Sequence, residues 1–209
     1  MAIAALGLTV PAAPAYAQST YPMLAVLNEV RAACDKLPVL RDAHAHVRGK
    51  GWTRVEDAAA TPVGPLVAMG MEQGRALAKA QGGSIEADRG AYRKIVAGEE
   101  LWLLLSGATI GGQVVHGCRV YDPGETRRIT VKEVSAWLGR EPVQTVDRPE
   151  LLRGEWQPGI NAGQDSFELF FVPDASPLRE LIKLSGVAIK ADWVGAPAAT
   201  SPTSPQEKK

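Results

Sequence analysis

The chain of 209 residues is electrically balanced, because its 23 lysines and arginines match its 23 aspartates and glutamates. Hydrophobic residues make up 45% of the sequence, an ordinary fraction for a globular protein, so disorder of the whole chain is excluded. The neutral balance gives no indication of a nucleic acid or of an acidic membrane surface as a partner.

Residues 1–17 carry no charged side chain and are typical of an export signal. A short apolar run leads to Ala15-Tyr16-Ala17, a small-bulky-small sequence of the kind that signal peptidase accepts. We therefore expect a mature protein that begins near Gln18 and is periplasmic or secreted. The basic start of a typical signal is missing, so an Ala/Pro-rich N-terminus of a cytosolic protein is the alternative. Pro11 and Pro14 interrupt the run, so no integral membrane segment is expected in the mature chain.

Residues 18–195 are expected to form one domain, since a chain of this length can bury a substantial core. Residues 196–209 are rich in Pro, Ala, Ser and Thr and have no apolar periodicity. This composition predicts a disordered tail.

Three helices are predicted in the first part of the chain. Apolar residues recur at helical spacing over 22–37, and a second, shorter helix is indicated over 39–49. A third helix is predicted to start after Thr61 and to end near residue 81. Gly70 and Gly74 share one face of it, where we expect another part of the backbone to approach closely.

The period then changes from helical to strand-like. Strands are predicted over 91–96, 101–110 and 113–121, and Gly111-Gly112 is a strong signal for a two-residue hairpin turn. These three strands are expected to form an antiparallel meander.

The remaining elements alternate between short helices and strands. Thr130 and Glu133 have the spacing of a capping box before a short helix. Strands are predicted over 167–172 and 187–194, with another short helix over 176–184. The fold class is therefore α+β: an antiparallel or mixed sheet with a central meander, flanked by N-terminal helices and two short later helices.

The two cysteines, Cys34 and Cys118, are predicted to form a disulfide. Cys34 lies on the apolar face of the first helix and Cys118 on an inward strand position, and export would place both in an oxidising compartment. In the chain-entropy model, closing so long a loop stabilises the fold by up to about 4–5 kcal/mol.

Asp42, His44 and His46 form a D-x-H-x-H pattern, which resembles the first metal-binding strand of metal-dependent amidohydrolases. That barrel needs more than about 200 residues and further histidines, and His116 is the only other one in this chain. The pattern also falls in the helix predicted over 39–49, where residues two apart do not face one site. Metal binding by these three residues is thus a minor alternative, and no metal or cofactor is predicted.

No catalytic constellation is recognisable. His116 and Cys118 share a strand face and could form a nucleophilic pair, but a disulfide-bonded cysteine cannot act as a nucleophile. Glu99 and Glu100 are adjacent, so on a strand edge their side chains point to opposite faces, and a turn is the favoured interpretation. Elbow, phosphate-loop, dinucleotide and H-E-x-x-H signatures are absent from the sequence.

The five tryptophans were weighed as contacts for a glycan or peptide. Core packing is favoured for the group, and Trp156, which is surrounded by turn residues, is the best candidate for exposure. The set comprises Trp52, Trp102, Trp137, Trp156 and Trp193.

The order Cys34, Gly51-Trp52 and Cys118-Arg119-Val120 resembles that of small exported proteins encoded by alphaproteobacteria. The resemblance extends from about residue 24 to residue 194 and implies a periplasmic, disulfide-bonded domain. It implies no activity, so no functional residue is carried over.

The sequence therefore favours a non-catalytic periplasmic domain that binds a protein, peptide, glycan or other envelope component. The alternative is an envelope hydrolase with a carboxylate-based site, and a metal-binding domain is third. The oligomeric state is left open. A deep pocket with converging Asp, Glu or His side chains would favour the hydrolase, and an apolar patch would favour the binding domain.

Overall fold

A computed structural model describes residues 21–86 and 90–195 of the chain. The predicted signal over 1–17 and the predicted tail over 196–209 lie outside the described residues. Within them, the helices are α1 Met23–Ala33, α2 Leu40–Gly49, α3 Gly64–Ala80, α4 Val131–Leu138 and α5 Arg179–Ile182. The strands are β1 Thr53–Val55, β2 Ser84–Ile85, β3 Gly90–Val96, β4 Glu99–Ile110, β5 Gln113–Pro123, β6 Gln144–Arg148, β7 Leu151–Trp156, β8 Ser166–Val172 and β9 Gly186–Gly195.

All described strands belong to one sheet, whose pairs are antiparallel. The order is β1-β3-β4-β5-β9-β8-β7-β6, and β2 pairs with the far end of β4. The predicted α+β class and the meander β3-β4-β5 are confirmed. The β4–β5 hairpin turns at Gly111 and Gly112, which both have positive φ values, a conformation that glycine adopts without steric cost.

The inner face of the sheet packs against α1, α2 and α4 and forms the main core. Alternate residues of the central strands point into it, among them Leu103 and Leu105 of β4 and Val120 of β5. The predicted disulfide joins this layer, with Cys34 at the end of α1 bonded to Cys118 of β5 across a Cα–Cα distance of 5.8 Å. It fastens the helical layer to the centre of the sheet.

The last carbonyls of α1 would be unsatisfied without side chains from other elements. Three donors reach them: Asn161 Nδ2 to Arg31 O at 2.9 Å, His46 Nε2 to Ala32 O at 2.8 Å, and Gln164 Nε2 to Cys34 O at 2.7 Å. The helix end beside the disulfide is therefore fixed by two other segments, α2 and the loop between β7 and β8.

The outer face carries a second, smaller core below α3. It contains the buried residues Val63, Trp102, Tyr121, Leu184 and Ala188. Only Gly64 and Ala78 of α3 are buried, so this helix packs loosely on the sheet compared with α1.

The β6–β7 hairpin was not predicted from the sequence. In β7, Leu152, Gly154 and Trp156 point inward and are buried. A Cβ atom on Gly154 would lie 2.4 Å from the Trp156 ring, so the ring fills the space of the missing side chain. The alternation of apolar residues that is typical of a strand is interrupted in β7, because Gly154 occupies an inward position where an apolar residue is expected. The helix predicted over 176–184 is also shorter than expected, since only α5 is helical there.

No helix in the described ranges combines the length and the apolar character that crossing a bilayer requires.

Candidate functional site

Two cavities lie on opposite parts of the molecule, and they differ in chemistry. The first lies between α3 and the outer face of the sheet and has a volume of about 670 Å³. Its helical wall is formed by the side of α3 that carries Leu66, Val67, Met69 and Met71. Its floor is formed by outward residues of β4, β5, β8 and β9, and most of them are apolar. The apolar floor residues include Leu104, Ala108, Val115, Tyr121, Phe170 and Ala188.

Two of the three glycines of α3, Gly70 and Gly74, line the cavity. The position of a Cβ on Gly70 has nothing within 4 Å, and that on Gly74 meets only Ile85 Cδ1 at 3.3 Å. The close backbone approach expected at these glycines is therefore wrong. At Gly70 the missing side chain leaves open space instead, whereas at Gly74 the neighbour is the side chain of Ile85 and not another backbone.

The centre of the floor is polar. Arg119 donates to Ser106 Oγ at 3.0 Å and pairs with Asp192 at 3.1 Å. Beside it, Lys190 pairs with Glu168 at 3.3 Å. Arg119, Lys190 and Ser106 all line the cavity.

The second cavity is an open cleft of about 1100 Å³ at the other end of the β4–β5 hairpin. Glu99 starts β4, whereas Asp122 and Glu125 lie at the end of β5 and just after it. One carboxylate oxygen of each lies within 4.8 Å of the others, so this group is the one in the described part of the chain that could hold a metal ion. Arg127 neutralises part of the charge, since it pairs with Glu99 at 2.7 Å and also with Glu125.

The electrostatics of the cleft are dominated by Asp122. Burial raises the pKa of this carboxyl to about 6, and the charges of Glu99 and Glu125 act in the same direction. Burial and the facing Asp122 carboxylate raise the pKa of the Tyr21 hydroxyl well above its usual range. An acid whose pKa lies this close to neutrality can donate a proton, which is the chemistry that a carboxylate-based hydrolase requires.

This cleft escaped the sequence prediction, which placed Glu99 in a turn. The Gly111-Gly112 hairpin pairs Trp102 with Tyr121. Continuing that register by three residues places Glu99 opposite the segment between Asp122 and Glu125. The register of the predicted hairpin was thus the signal that could have found it.

The structure places Asp42, His44 and His46 in three different surroundings. His44 is buried in α2 and its Nδ1 lies 2.7 Å from the Tyr92 hydroxyl. His46 donates to a carbonyl at the end of α1, and Asp42 is exposed and lies 3.6 Å from Arg41. The pattern that resembles a metal-binding strand lies on a helix.

His116 lies next to the disulfide on β5. Its Nδ1 lies 2.9 Å from Leu37 O and its Nε2 lies 3.1 Å from Glu86, and its ring stacks on Trp193. Cys118 is bonded to Cys34, so the pair of His116 and Cys118 has no thiolate to activate.

Trp156, the best candidate for exposure among the tryptophans, is fully buried, as the favoured core packing of the group predicts. Its indole N–H donates to Ser135 of α4 at 3.3 Å and its ring packs on Phe167. Trp156 is the last residue of β7, so the turn residues that follow it mark the end of the strand and do not indicate that the side chain is exposed.

No protein-family model matches the chain, and neither a curated protein nor a solved structure matches it significantly.

Proposed function

We propose that this protein is a non-catalytic periplasmic domain that binds a small apolar or amphipathic component of the cell envelope in the cavity beneath α3. The observation that carries the proposal is the cavity itself, whose volume of about 670 Å³ falls within the usual range of ligand pockets, about 300–1,000 Å³. Its apolar lining with a few polar groups is also typical of such pockets.

The packing of α3 supports this proposal. The apolar side of an amphipathic helix normally packs against the core. Here Leu66, Val67 and Met69 remain only half-buried and face the cavity. An apolar ligand would supply the contacts that these side chains lack, and the flexible Met69 and Met71 could adapt to its shape.

The location in the periplasm is supported by the disulfide and by the signal-like sequence. Disulfides persist in oxidising compartments and are rare in the cytosol. The resemblance to exported proteins of alphaproteobacteria points to the same compartment.

The test is a titration of the purified protein with N-phenylnaphthylamine, an uncharged dye that becomes fluorescent in apolar surroundings. We expect saturable binding to the native protein. The Gly70→Phe variant should bind about tenfold or more weakly, because the new ring would occupy the cavity, and tenfold corresponds to about 1.4 kcal/mol.

Gly49→Phe is the matched control. Gly49 ends α2, also has nothing within 4 Å of its Cβ position, and lies outside the cavity. This variant should bind the dye as the native protein does. Failure of the native protein to bind, or equal binding by Gly70→Phe, would contradict the proposal.

An envelope hydrolase is the second candidate, and the convergence of Glu99, Asp122 and Glu125 in the cleft favours it. Its test is a panel of chromogenic glycosides, esters and peptides. An activity that Asp122→Asn abolishes and that is retained by Glu141→Gln, a change at an exposed residue outside the cleft, would support this function, and hydrolysis of none of the substrates would count against it.

A further inference from the structure

Two cations lie side by side on the floor of the cavity beneath α3. Arg119 of β5 and Lys190 of β9 are direct cross-strand partners, and both line the cavity. Like charges directly opposite each other on a sheet destabilise it. Asp192 and Glu168, which pair with Arg119 at 3.1 Å and with Lys190 at 3.3 Å, already offset part of this repulsion, and an anion between the two cations would offset more of it.

The carboxylates that pair with these cations, Asp192 and Glu168, are not among the described residues that line the cavity. The other two charged residues of its lining, Arg54 and Glu56, are exposed and have opposite signs. The charged groups that the floor of the cavity presents to the ligand space are thus two cations, each of which also pairs with one carboxylate beside the cavity.

The site around Arg119 is shaped by its neighbours. A Cβ on Gly117 would lie 1.6 Å from Arg119 Nη1, so the guanidinium lies over the backbone of Gly117, in the space that a side chain there would take. Ser106 accepts a hydrogen bond from Arg119 and keeps its own proton for a further acceptor. Apolar residues flank this polar group along both strands, with Tyr121 next to Arg119 and Ala188 next to Lys190.

We propose that the ligand is an anionic amphiphile of the fatty-acid type, with one long acyl chain and a carboxylate headgroup that binds Arg119 and Lys190. This inference rests on the proposed function, since it assigns a chemical class to the ligand of the same cavity. The carboxylate accepts charge-assisted hydrogen bonds from both cations, and Arg119 is suited to the planar headgroup. The acyl chain fills the apolar space between the floor and α3.

The test compares three ligands that share one alkyl chain: palmitate, hexadecanol and hexadecyltrimethylammonium. Each is added below the concentration at which it self-associates, and its affinity is measured by displacement of bound N-phenylnaphthylamine. We expect palmitate to bind about tenfold or more tightly than hexadecanol, and the cationic ligand to bind most weakly.

Two variants identify the headgroup site. Lys190→Met should weaken palmitate binding about tenfold and leave hexadecanol binding unchanged. Arg153→Met is the matched control, because Arg153 and Lys190 both pair with Glu168 and both lie over the Phe170 ring, at 5.6 and 5.2 Å from its centroid. Arg153 does not line the cavity, so its replacement should leave both affinities unchanged.

The outcomes separate the two proposals. If the dye does not bind the native protein, the proposed function itself fails. If the dye binds but palmitate and hexadecanol displace it equally well, or if Arg153→Met weakens palmitate binding as much as Lys190→Met does, the anionic headgroup is refuted and the apolar cavity remains.

Discussion

At the scale of single residues, Asp122 is a carboxylate that is largely buried in the wall of the open cleft. The residue is only 7% exposed, and burial holds its pKa at about 6. Glu99 and Glu125 add to this shift, whereas Tyr21 and Arg127 act in the opposite direction. A buried charge of this kind costs stability at neutral pH, and such costs are common at functional sites.

We predict that Asp122→Asn stabilises the protein at neutral pH. The folded state holds the proton up to about pH 6, whereas in the unfolded chain the carboxyl has its ordinary pKa of 3.8. The stabilising contribution of protonated Asp122 is therefore complete below about pH 4 and is lost as the pH rises to about 6. The variant should raise the thermal midpoint by a few degrees at neutral pH, and this gain should vanish near pH 4.

Glu100→Gln is the control for this measurement, since Glu100 is the exposed neighbour of Glu99 on β4. Its midpoint should follow that of the native protein at both pH values. A lower midpoint for Asp122→Asn at neutral pH would show that Arg127 stabilises the ionised carboxylate more than burial destabilises it.

At the scale of elements, α4 is fixed at its start by a reciprocal pair of hydrogen bonds. Thr130 Oγ1 accepts from the Glu133 N–H at 3.2 Å, and Glu133 Oε2 accepts from the Thr130 N–H at 3.0 Å. The helix then places the hydroxyl of Ser135 against the buried indole of Trp156. Its first turn therefore helps to hold α4 on the inner face of the sheet.

We predict that Thr130→Ala lowers the free energy of unfolding by about 1 kcal/mol, because the Glu133 N–H loses its acceptor and the Glu133 carboxylate loses the hydrogen bond from the Thr130 hydroxyl. Thr130→Ser keeps the hydroxyl and should retain most of the native stability. Urea unfolding measures both variants. Equal stability of the alanine and serine variants would mean that the capping box does not contribute to the fold.

Elements with local signals could be predicted from the sequence. The start of α4 depends on residues three apart, and the β4–β5 hairpin depends on Gly111-Gly112 and the apolar runs beside it. β7 could not be predicted, because Gly154 occupies an inward position where the pattern of a strand requires an apolar residue. Trp156 could not be placed for the same reason, since it belongs to β7, and its partners Ser135 and Phe167 lie on elements that the sequence did predict.

The candidate sites depend on long-range geometry and were harder to predict. Gly70 and Gly74 drew attention to one face of α3, but a glycine pair is equally compatible with close contact and with open space. Only the position of α3 over the sheet decides between them. The acidic cleft likewise needs the ends of β4 and β5 to meet, which the hairpin register brings about.

At the scale of the whole molecule, the sheet separates two unlike halves. The inner face is densely packed and is crossed by the Cys34–Cys118 disulfide. The outer face carries α3, of which only Gly64 and Ala78 are buried, over the candidate cavity. Few buried contacts are the physical condition for local opening. We therefore expect α3 to admit a ligand without disturbance of the inner core.

We predict that Cys34→Ala/Cys118→Ala lowers the free energy of unfolding by up to about 4–5 kcal/mol, because the bond closes a loop across a sequence separation of 84 residues. Denaturant unfolding with and without a reductant measures this loss. Reductant should lower the stability of the native protein to that of the double variant and should leave the variant unchanged. Below its unfolding transition, the variant should still bind N-phenylnaphthylamine, since the cavity lies on the other face of the sheet. A native protein whose stability stays the same after both thiols have become titratable would contradict the structural role assigned to the bond.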